Sequence, residues 1–342
     1  MTAPPLHFFD NGHGYRLAMR RVEPDDASPI HDRPRARPLL IVPGYGMNSF
    51  IFSFHPRGLS LEAYLASRGI EVFSVDLRGQ GASVRTEAAP PHDRYGLSEL
   101  AEVDVGVAVH AVRALTGTDR VDVLGASLGA SLVLGHLALH PDAPVGTLVS
   151  LGGLVTWVKV PFIVRALFGS PSIIGKVPFR GTRRLAGFAL PTLARVAPGL
   201  LSIYLHTQST DIADAKKMVE TVEDPNPHVN REIAEWVRRK ELVLGGVNVS
   251  RSLPSIRNPL LCVVAMQDGI VPAETGRAIY DSIGSYRKEL LCVGTTASPI
   301  AHADLFLSTG AQETIFAHIA DFLLADVVPE SETSGPRDGP SP

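Results

Sequence analysis

The stretch 121-VDVLGASLG-129 joins a short apolar run to a helical pattern through a turn centred on Ser127. Gly125 and Gly129 stand two residues to either side of this serine. In a tight strand-to-helix turn these positions must be small, because the strand and the helix approach closely there. Such a turn lifts the hydroxyl above the sheet at a helix N-terminus, so the sequence predicts that Ser127 is a nucleophile. A glycine-rich turn without chemistry and a phosphate-binding turn are the alternatives.

Apolar runs and helical patterns alternate on both sides of this turn. Continuous apolar runs predict strands that are buried on both faces, at Leu39–Val42, Ile70–Val75, Val121–Leu124, Val145–Leu151, Leu260–Met266 and Glu289–Val293. Helices are predicted over Leu59–Ser67, Ser98–Leu115 with Ser98 as N-cap, Leu128–Leu139, Pro272–Ile283 and Ala311–Leu324. The runs Leu6–Phe9 and Tyr15–Val22 predict a hairpin. The pattern predicts an α/β fold, with a mostly parallel sheet flanked by helices.

The alternation stops between residues 153 and 250, where the chain is mainly helical, is interrupted by prolines and has no strand pattern. We expect this segment to form a helical cap over the carboxyl edge of the sheet, where open α/β folds place their ligands. Residues 1–152 and 251–328 then form one discontinuous core. Residues 329–342, rich in Pro, Ser, Gly and charge, predict a disordered tail.

A serine becomes a nucleophile only beside a base, and the base needs an acid to orient it. Asp268 is the carboxylate at the end of the predicted strand Leu260–Met266, and His302 lies in the loop after Glu289–Val293. Because the carboxyl ends of parallel strands meet at one edge, we expect Ser127, Asp268 and His302 to form a catalytic triad. A histidine that caps the following helix and an Asp-Gly turn residue are the alternatives.

Other candidates fit these roles less well. His136 and His318 fall within predicted helices, and His140 ends a helix away from the strand tips. Asp281 lies in the middle of a helix, and Asp304 is too close to the proposed base along the chain.

An oxyanion needs backbone N–H donors from two loops. The loop after Leu39–Val42 contains Gly44 and Gly46, which allow it to fold tightly towards the serine. We expect the amides of Tyr45 and Leu128 to form the oxyanion hole, with an ordinary glycine-rich turn as the alternative.

Outside the inserted segment, the chain resembles the α/β-hydrolase superfamily. The resemblance rests on the segments PLLIVPGYG, VFSVDLRGQGAS, VDVLGASLGAS, VVAMQDGIVP and IAHADLF. It implies the α/β-hydrolase fold, and the order Ser127, Asp268, His302 is the family's chain order. The segments RGLSLEAYLASRGIEVFSVDLRG and AEVDVGVAVHAVRALTG are similar to the acid-lipase and polyhydroxyalkanoate-synthase branches.

The chain departs from these relatives at two places. The usual His-Gly of the oxyanion loop is Pro43-Gly44 here. Polyhydroxyalkanoate synthases carry a cysteine at the position of Ser127, which argues against polymerisation. Dehalogenases and epoxide hydrolases carry an aspartate there and are disfavoured for the same reason.

The overall composition excludes several classes of function. The 342 residues include 32 basic and 35 acidic side chains, for a net charge of −3, and this balance gives no indication of nucleic-acid or anionic-membrane binding. The sequence has no metal-ligand spacing, dinucleotide fingerprint or phosphate loop, so we expect neither a metal nor a cofactor.

The cysteines and the N-terminus indicate a cytoplasmic protein. Cys262 and Cys292 lie in apolar runs and predict buried free thiols in a reducing compartment. The first residues show no signal-peptide pattern. The apolar stretch 185–205 is interrupted by Pro191, Arg195 and Pro198, so no obligate membrane span is expected.

The inserted segment suggests the kind of substrate. We expect its aromatic residues either to line an acyl pocket or to form the core of the cap itself. These residues are Trp157, Phe162, Phe168, Phe179, Phe188 and Tyr204. The pair Arg183-Arg184 predicts an exposed surface. Together these features predict a serine hydrolase that cleaves carboxylic esters with hydrophobic acyl groups, with a small-molecule ester as substrate. Acyl transfer or thioester hydrolysis on the same triad, and a ligand-binding protein without turnover, remain alternatives; the oligomeric state stays open.

Overall fold

The computed structural model describes residues 5–24, 36–88, 94–176 and 180–325. The strands are β1 (Leu6–Asp10), β2 (Tyr15–Val22), β3 (Leu39–Val42), β4 (Val72–Asp76), β5 (Val84–Arg85), β6 (Val121–Ala126), β7 (Val145–Leu151), β8 (Val243–Leu244), β9 (Val247–Asn248), β10 (Leu260–Ala265) and β11 (Lys288–Val293). The α-helices are α1 (Phe50–Ser53), α2 (Leu61–Ser67), α3 (Leu97–Glu99), α4 (Gly106–Thr116), α5 (Leu128–Leu139), α6 (Phe162–Phe168), α7 (Pro171–Ile174), α8 (Thr182–Val196), α9 (Pro198–Leu201), α10 (Ala215–Met218), α11 (Pro227–Arg239), α12 (Val249–Ser252), α13 (Ala273–Ser282), α14 (Asp304–Leu307) and α15 (Ala317–Leu324). π-Helical turns at Leu100–Val105 and Gln312–Phe316 lead into α4 and α15.

The main sheet has the strand order β1-β2-β4-β3-β6-β7-β10-β11. From β4 to β11 all neighbouring strands are parallel, whereas β1 and β2 form an antiparallel hairpin at one edge. β5 adds to β2, and β8 pairs with β9 in a separate small hairpin. The prediction of a mostly parallel sheet is therefore confirmed, and so is the prediction of an N-terminal hairpin.

The strands of the parallel part are buried on both faces. In β10, Leu260, Cys262 and Val264 face one apolar cluster, which includes helices α4 and α5. The alternate residues Leu261, Val263 and Ala265 face a second cluster, which includes α2 and α15. Because side chains alternate between the faces of a strand, both faces of β10 must be apolar, and this explains its continuous apolar run.

The parallel arrangement also positions the loops. β3, β6, β10 and β11 run in the same direction, so the loops after them meet at one edge of the sheet. β3 is hydrogen-bonded directly to β6, which places the loop after β3 beside the turn that contains Ser127.

Three local expectations are wrong. The helix predicted to begin after Ser98 starts at Leu97, because the Glu99 carboxylate accepts the amide of the N-cap Gly96 at 2.7 Å. The Ser98 hydroxyl instead accepts the amide of Gly245. Cys292 is exposed, since β11 is an edge strand with less cover than β10.

The segment 153–250 is mostly helical, but it contains the hairpin β8–β9, although its sequence has no strand pattern. Each of these strands has only two residues, too few for an alternating pattern. The apolar stretch 185–205 is divided into α8 and α9, and no helix in the described residues is long and apolar enough to cross a membrane. The predicted disordered tail, 329–342, lies outside the described residues.

Candidate active site

Ser127 occupies the turn between β6 and α5 with φ 52° and ψ −120°. A Cβ atom on Gly125 would lie 2.4 Å from the backbone of Ala130, and one on Gly129 would lie 2.2 Å from the carbonyl oxygen of Val42. Both flanking positions therefore require glycine, as the sequence pattern indicated. The Ser127 hydroxyl stands at the N-terminus of a helix, where the dipole favours developing negative charge.

His302 is brought to this serine by the loop between β11 and α14. Its Nε2 lies 2.9 Å from the Ser127 Oγ, and its Nδ1 lies 2.5 Å from Oδ2 of Asp268. When Nδ1–H donates to the carboxylate, Nε2 is left as an acceptor for the serine proton. The three predicted residues thus lie in one hydrogen-bonded chain, and all three are buried.

Asp268 is held by its own loop. Its second carboxylate oxygen, Oδ1, accepts the amides of Ile270 and Val271, each at 2.8 Å. These two hydrogen bonds fix the carboxylate and leave Oδ2 directed at His302.

Asp304, the nearest alternative acid, has a different set of partners. Its carboxylate accepts the amides of Ala301 and His206 and the hydroxyl of Thr210, the last at 2.6 Å. Burial raises the pKa of this carboxyl above its ordinary value. Asp304 therefore fastens residues 206–210 of the inserted segment to the loop that carries His302.

The alternative histidines lie elsewhere. His136 is buried, its Nδ1 lies 3.0 Å from the carbonyl oxygen of Ala101, and burial lowers its pKa to about 4. His318 is half-exposed beside Glu289. Neither side chain is hydrogen-bonded to Ser127 in the part of the chain that the structure describes.

The loop after β3 packs against the serine. A Cβ on Gly44 would lie 2.9 Å from the Cβ of Ser127, so the backbone passes as close as glycine allows. Among the residues that the structure describes, neither the Tyr45 amide nor the Leu128 amide has a hydrogen-bond acceptor. Two unpaired amides beside the hydroxyl are what an oxyanion hole requires.

The Tyr45 side chain connects this loop to the inserted segment. Its hydroxyl donates to Oδ1 of Asn230 on α11 at 2.5 Å, and its ring packs edge-on against Phe168 of α6. Burial raises the pKa of the Tyr45 phenol, so the hydroxyl remains a donor. Sequence reasoning missed Asn230, although a polar residue within the apolar face of α11, beside Val229 and Ile233, is a recognisable signal.

The segment 76–83 supports the same loop from the other side. The Asp76 carboxylate accepts the amides of Ser49 and Ala82, and a Cβ on Gly81 would overlap this carboxylate. Arg78 forms a buried ion pair with Asp104. Asp76 thus joins its own loop to the start of α1, directly after the oxyanion loop.

Part of the inserted segment covers the site. The amide of Gly269 donates to the carbonyl of Ile203, and the amide of Ala303 donates to the carbonyl of Tyr204. Ser127 is only 8% exposed and His302 only 3%. A cleft of about 30 Å³ lies beside Leu128. Residues 203 and 204 thus lie against the loops that carry Asp268 and His302.

The aromatic residues of this segment do not share one role. Trp157 is buried, and Phe168 packs on Tyr45, whereas Phe162 and Phe188 point into solvent. The expectation that these side chains line a pocket or form a core is wrong for Phe162 and Phe188. Phe179 lies outside the described residues.

The doubly covered parallel sheet and the serine on its strand-to-helix turn define an α/β-hydrolase. Residues 39–295 match the family model described as serine aminopeptidase, S33, and the chain belongs to this family. The predicted superfamily and fold are thereby confirmed.

Solved structures of other proteins share this fold. The esterase RhEst1 from Rhodococcus sp. ECU1013 superposes with a TM-score of 0.60 at 18% identity, over 96% of this chain and 100% of the esterase. A proline iminopeptidase from Mycobacterium smegmatis gives a TM-score of 0.56 at 19% identity, over 94% and 98% of the two chains. At such identities the similarity shows the fold alone.

The chain is also similar to the poly(3-hydroxyalkanoate) polymerase subunit PhaC of Cupriavidus necator. The two are 33% identical over 129 residues, which are 36% of this chain and 20% of the polymerase. This match covers a small part of the polymerase, and it agrees with the predicted likeness to the synthase branch.

Proposed function

We propose that this hydrolase cleaves carboxylic esters with hydrophobic acyl groups through an acyl-enzyme on Ser127. The observation that carries the proposal is the hydrogen-bonded chain from the Ser127 Oγ to His302 Nε2, at 2.9 Å, and from His302 Nδ1 to Asp268, at 2.5 Å. This arrangement supplies a nucleophile, a base and an orienting carboxylate in reach of one another.

The reaction has two halves. Ser127 attacks the ester carbonyl while His302 takes its proton, and the amides of Leu128 and Tyr45 donate to the oxyanion. The imidazolium then protonates the leaving alkoxide, which departs as the alcohol and leaves an acyl-serine. In the second half His302 removes a proton from water, and the hydroxide attacks the carbonyl of the acyl-serine. The imidazolium then gives this proton to the Ser127 Oγ as the bond from the acyl carbon to Oγ breaks, which releases the carboxylic acid and restores Ser127. Asp268 keeps Nδ1 protonated and stabilises the imidazolium throughout.

We assign the recognition of the acyl group to residues 153–250, acting as a cap on the core formed by 1–152 and 251–328. In support, the cleft beside Leu128 has apolar walls at Leu100, Leu132 and Val229, and its polar lining includes Gln80 and Glu223. The proposed substrate is therefore a small hydrophobic ester that enters when the cap shifts.

Peptide hydrolysis is the second candidate, because the family is described as serine aminopeptidase. An aminopeptidase must bind the substrate's α-ammonium group, which calls for a free carboxylate near the serine. The chain has no Asp or Glu between Asp142 and Asp211. The Glu223 carboxylate already accepts from Asn48, Gly81 and Arg183. This distribution favours an uncharged acyl group.

The experiment compares 4-nitrophenyl esters with aminoacyl 4-nitroanilides, using the wild type, Ser127→Ala and Ser150→Ala. Ser150 is the matched control, because it is a buried serine on the neighbouring strand β7 and its hydroxyl has no hydrogen-bond partner among the described residues. We expect Ser127→Ala to lose ester turnover by about 10⁴-fold or more and to lose fluorophosphonate labelling. Ser150→Ala should keep both.

Each outcome separates the candidate functions. Faster turnover of the anilides than of the esters would replace the proposal by peptide hydrolysis. Labelling of Ser127 with acyl transfer to an added alcohol or thiol, but little to water, would favour an acyltransferase. No labelling of the wild type would favour a binding protein without turnover.

A further inference from the structure

Helix α8 turns an apolar stripe towards solvent. Leu185, Phe188, Thr192 and Val196 are exposed and recur every three or four residues, so they share one face of the helix. The exposed fractions are 69% for Leu185, 81% for Phe188 and 80% for Val196. Surface helices normally direct such side chains to the core, so this face needs a different explanation.

The stripe continues beyond α8. The next helix, α9, packs against α8 and exposes Leu200. On α6, Phe162 and Leu167 are exposed as well. Exposed apolar side chains that are contiguous in space, as those of α8 and α9 are, mark an interaction surface.

The charge of this segment is one-sided. No Asp or Glu occurs between Asp142 and Asp211, although the whole chain has 35 acidic residues. The same interval contains seven basic residues, which are Lys159, Arg165, Lys176, Arg180, Arg183, Arg184 and Arg195. Arg183 pairs with Glu223 and Lys159 with Glu274. Arg165, Lys176, Arg180 and Arg184 are exposed without a carboxylate partner among the described residues.

We propose that the α8–α9 face, defined by Leu185, Phe188, Val196 and Leu200, docks on an anionic lipid bilayer. Bulky apolar side chains enter the boundary between headgroups and acyl chains, and flanking arginines meet anionic headgroups. The segment offers both components: the apolar stripe on α8 and α9, and, at the start of α8, Arg184, which is exposed without a carboxylate partner among the described residues. α8 has only fifteen residues and contains Pro191, so it lies on the bilayer and does not cross it.

The charge distribution favours a lipid surface over a second copy of the chain. A twofold dimer would place this face against itself, and the basic residues of one copy would then lie near those of the other. The interval itself has no acidic residue, and the carboxylates at the start of α8, Glu223 and Asp224, already accept from Arg183 and from the amides of Gly181 and Thr182. An anionic bilayer removes the repulsion and covers the apolar stripe at the same time.

The docking face is connected to the candidate active site. α9 ends at Leu201, and the carbonyls of Ile203 and Tyr204 accept hydrogen bonds from the loops that carry Asp268 and His302. A displacement of α8 and α9 at the bilayer would therefore pull on the segment that covers Ser127. This coupling rests on the proposed function, whereas the docking itself does not.

The test uses the full chain carrying Ser127→Ala, so that turnover cannot consume lipid. It measures co-sedimentation with vesicles of ether-linked phosphatidylglycerol or ether-linked phosphatidylcholine, which have no carboxylic ester bond. We expect the partition coefficient for phosphatidylglycerol vesicles to exceed that for phosphatidylcholine vesicles by about tenfold or more. Added salt should reduce this difference.

Substitutions on α8 test whether the α8–α9 face is the surface that binds the vesicles. In the Ser127→Ala background, Phe188→Ser with Val196→Ser should lower the partition coefficient by about tenfold or more, and Arg184→Glu by about fivefold or more. Tyr286→Ser is the matched control, because Tyr286 is 82% exposed and lies on the loop before β11. It should sediment like its parent.

Three results would overturn the proposal. The first is the absence of sedimentation with phosphatidylglycerol vesicles, and the second is equal sedimentation of the double serine variant and the Tyr286→Ser control. The third is a concentration-dependent dimer, seen by analytical ultracentrifugation, that is lost in the double serine variant while neither protein binds vesicles; the occupant would then be a second copy. None of these results depends on ester turnover, so failure of the proposed function would leave this test unaffected.

Discussion

Ser127 holds a backbone conformation that residues with a side chain rarely adopt, and it does so between two glycines. Such a conformation costs on the order of 1–3 kcal/mol and persists only where the surroundings enforce it. Here the Ser127 amide donates to the carbonyl of Leu151 on the adjacent strand β7, which fixes the turn. The constrained turn therefore holds the Ser127 hydroxyl in one position, within reach of His302.

The two buried aspartates near His302 should respond differently to the same substitution. Asp268→Asn should lower kcat by about 10⁴-fold with the fold intact, because an amide that donates to Nδ1 stabilises the wrong tautomer. Asp304→Asn should lower the free energy of unfolding by about 1–3 kcal/mol, because an amide cannot accept from all three donors. Steady-state kinetics and urea unfolding of both variants check this. Equal losses of kcat would contradict the assignment of Asp268 alone as the orienting acid.

His136 should make stability depend on acid pH. Burial lowers its pKa in the folded state from 6.5 to about 4, so between these values the unfolded state binds more protons. Stability should therefore fall as the pH is lowered from about 6.5 to about 4, by about 3 kcal/mol from this group. Urea unfolding at several pH values, in the wild type and in His136→Gln, measures the difference. An unchanged slope in the variant would show that His136 is not the source.

At the scale of elements, the link between Tyr45 and Asn230 holds the oxyanion loop against α11. Tyr45→Phe removes this bond and leaves the whole amide of Asn230 buried without a partner, since its Nδ2 already lacks one among the described residues. We expect a loss of about 1–3 kcal/mol of stability and a fall of about tenfold in kcat with little change in KM.

The double variant Tyr45→Phe with Asn230→Leu separates the two effects. An apolar pair of similar shape should restore most of the stability, because neither partner is then buried without a hydrogen bond. If the hydroxyl positions the oxyanion loop, kcat should stay low in the double variant. Recovery of kcat together with stability would show that the bond is only structural.

The strands and the three triad candidates could be predicted because their signals are local. A continuous apolar run indicates a strand buried on both faces, and the polar residues at the strand ends follow directly from it. β3 and β7 have the predicted bounds, and the other four parallel strands differ by at most two residues at either end. Gly125 and Gly129 predict the tight turn around Ser127, and this signal is also local because both glycines lie within two residues of the serine.

What could not be predicted depends on partners distant in sequence. Asn230 gains its role from Tyr45, which lies 185 residues earlier, and Asp304 gains its role from Thr210. The exposure of Phe162 and Phe188 depends on which side of each helix the core happens to cover. An apolar residue in a helical pattern indicates burial by default. The sequence carries no signal that the apolar face of a helix points to solvent.

At the scale of the whole molecule, the net charge does not reveal how unevenly the acidic residues are distributed along the chain. The net charge of −3 gave no reason to expect an anionic membrane, yet the acidic residues are absent from the interval between Asp142 and Asp211. The same interval exposes the apolar face of α8. Electrostatic attraction acts over about one Debye length, roughly 8 Å at physiological salt, so the local charge governs surface binding.

The proposed arrangement of cap and core also predicts how activity depends on acyl length. Each buried methylene contributes about 0.8 kcal/mol, so kcat/KM should rise several-fold per carbon and fall once the pocket is full. Val229 of α11 is a wall of the cleft beside Leu128, and Val229→Phe should move the optimum to shorter esters while acetyl-ester turnover changes less. Val237→Phe is the matched control, since Val237 is also buried on α11 but does not line the cleft. The ratio of kcat/KM for long and short esters cancels any loss of folded protein. A flat profile, or the same ratio in both variants, would place the acyl group elsewhere and leave α11 as scaffold.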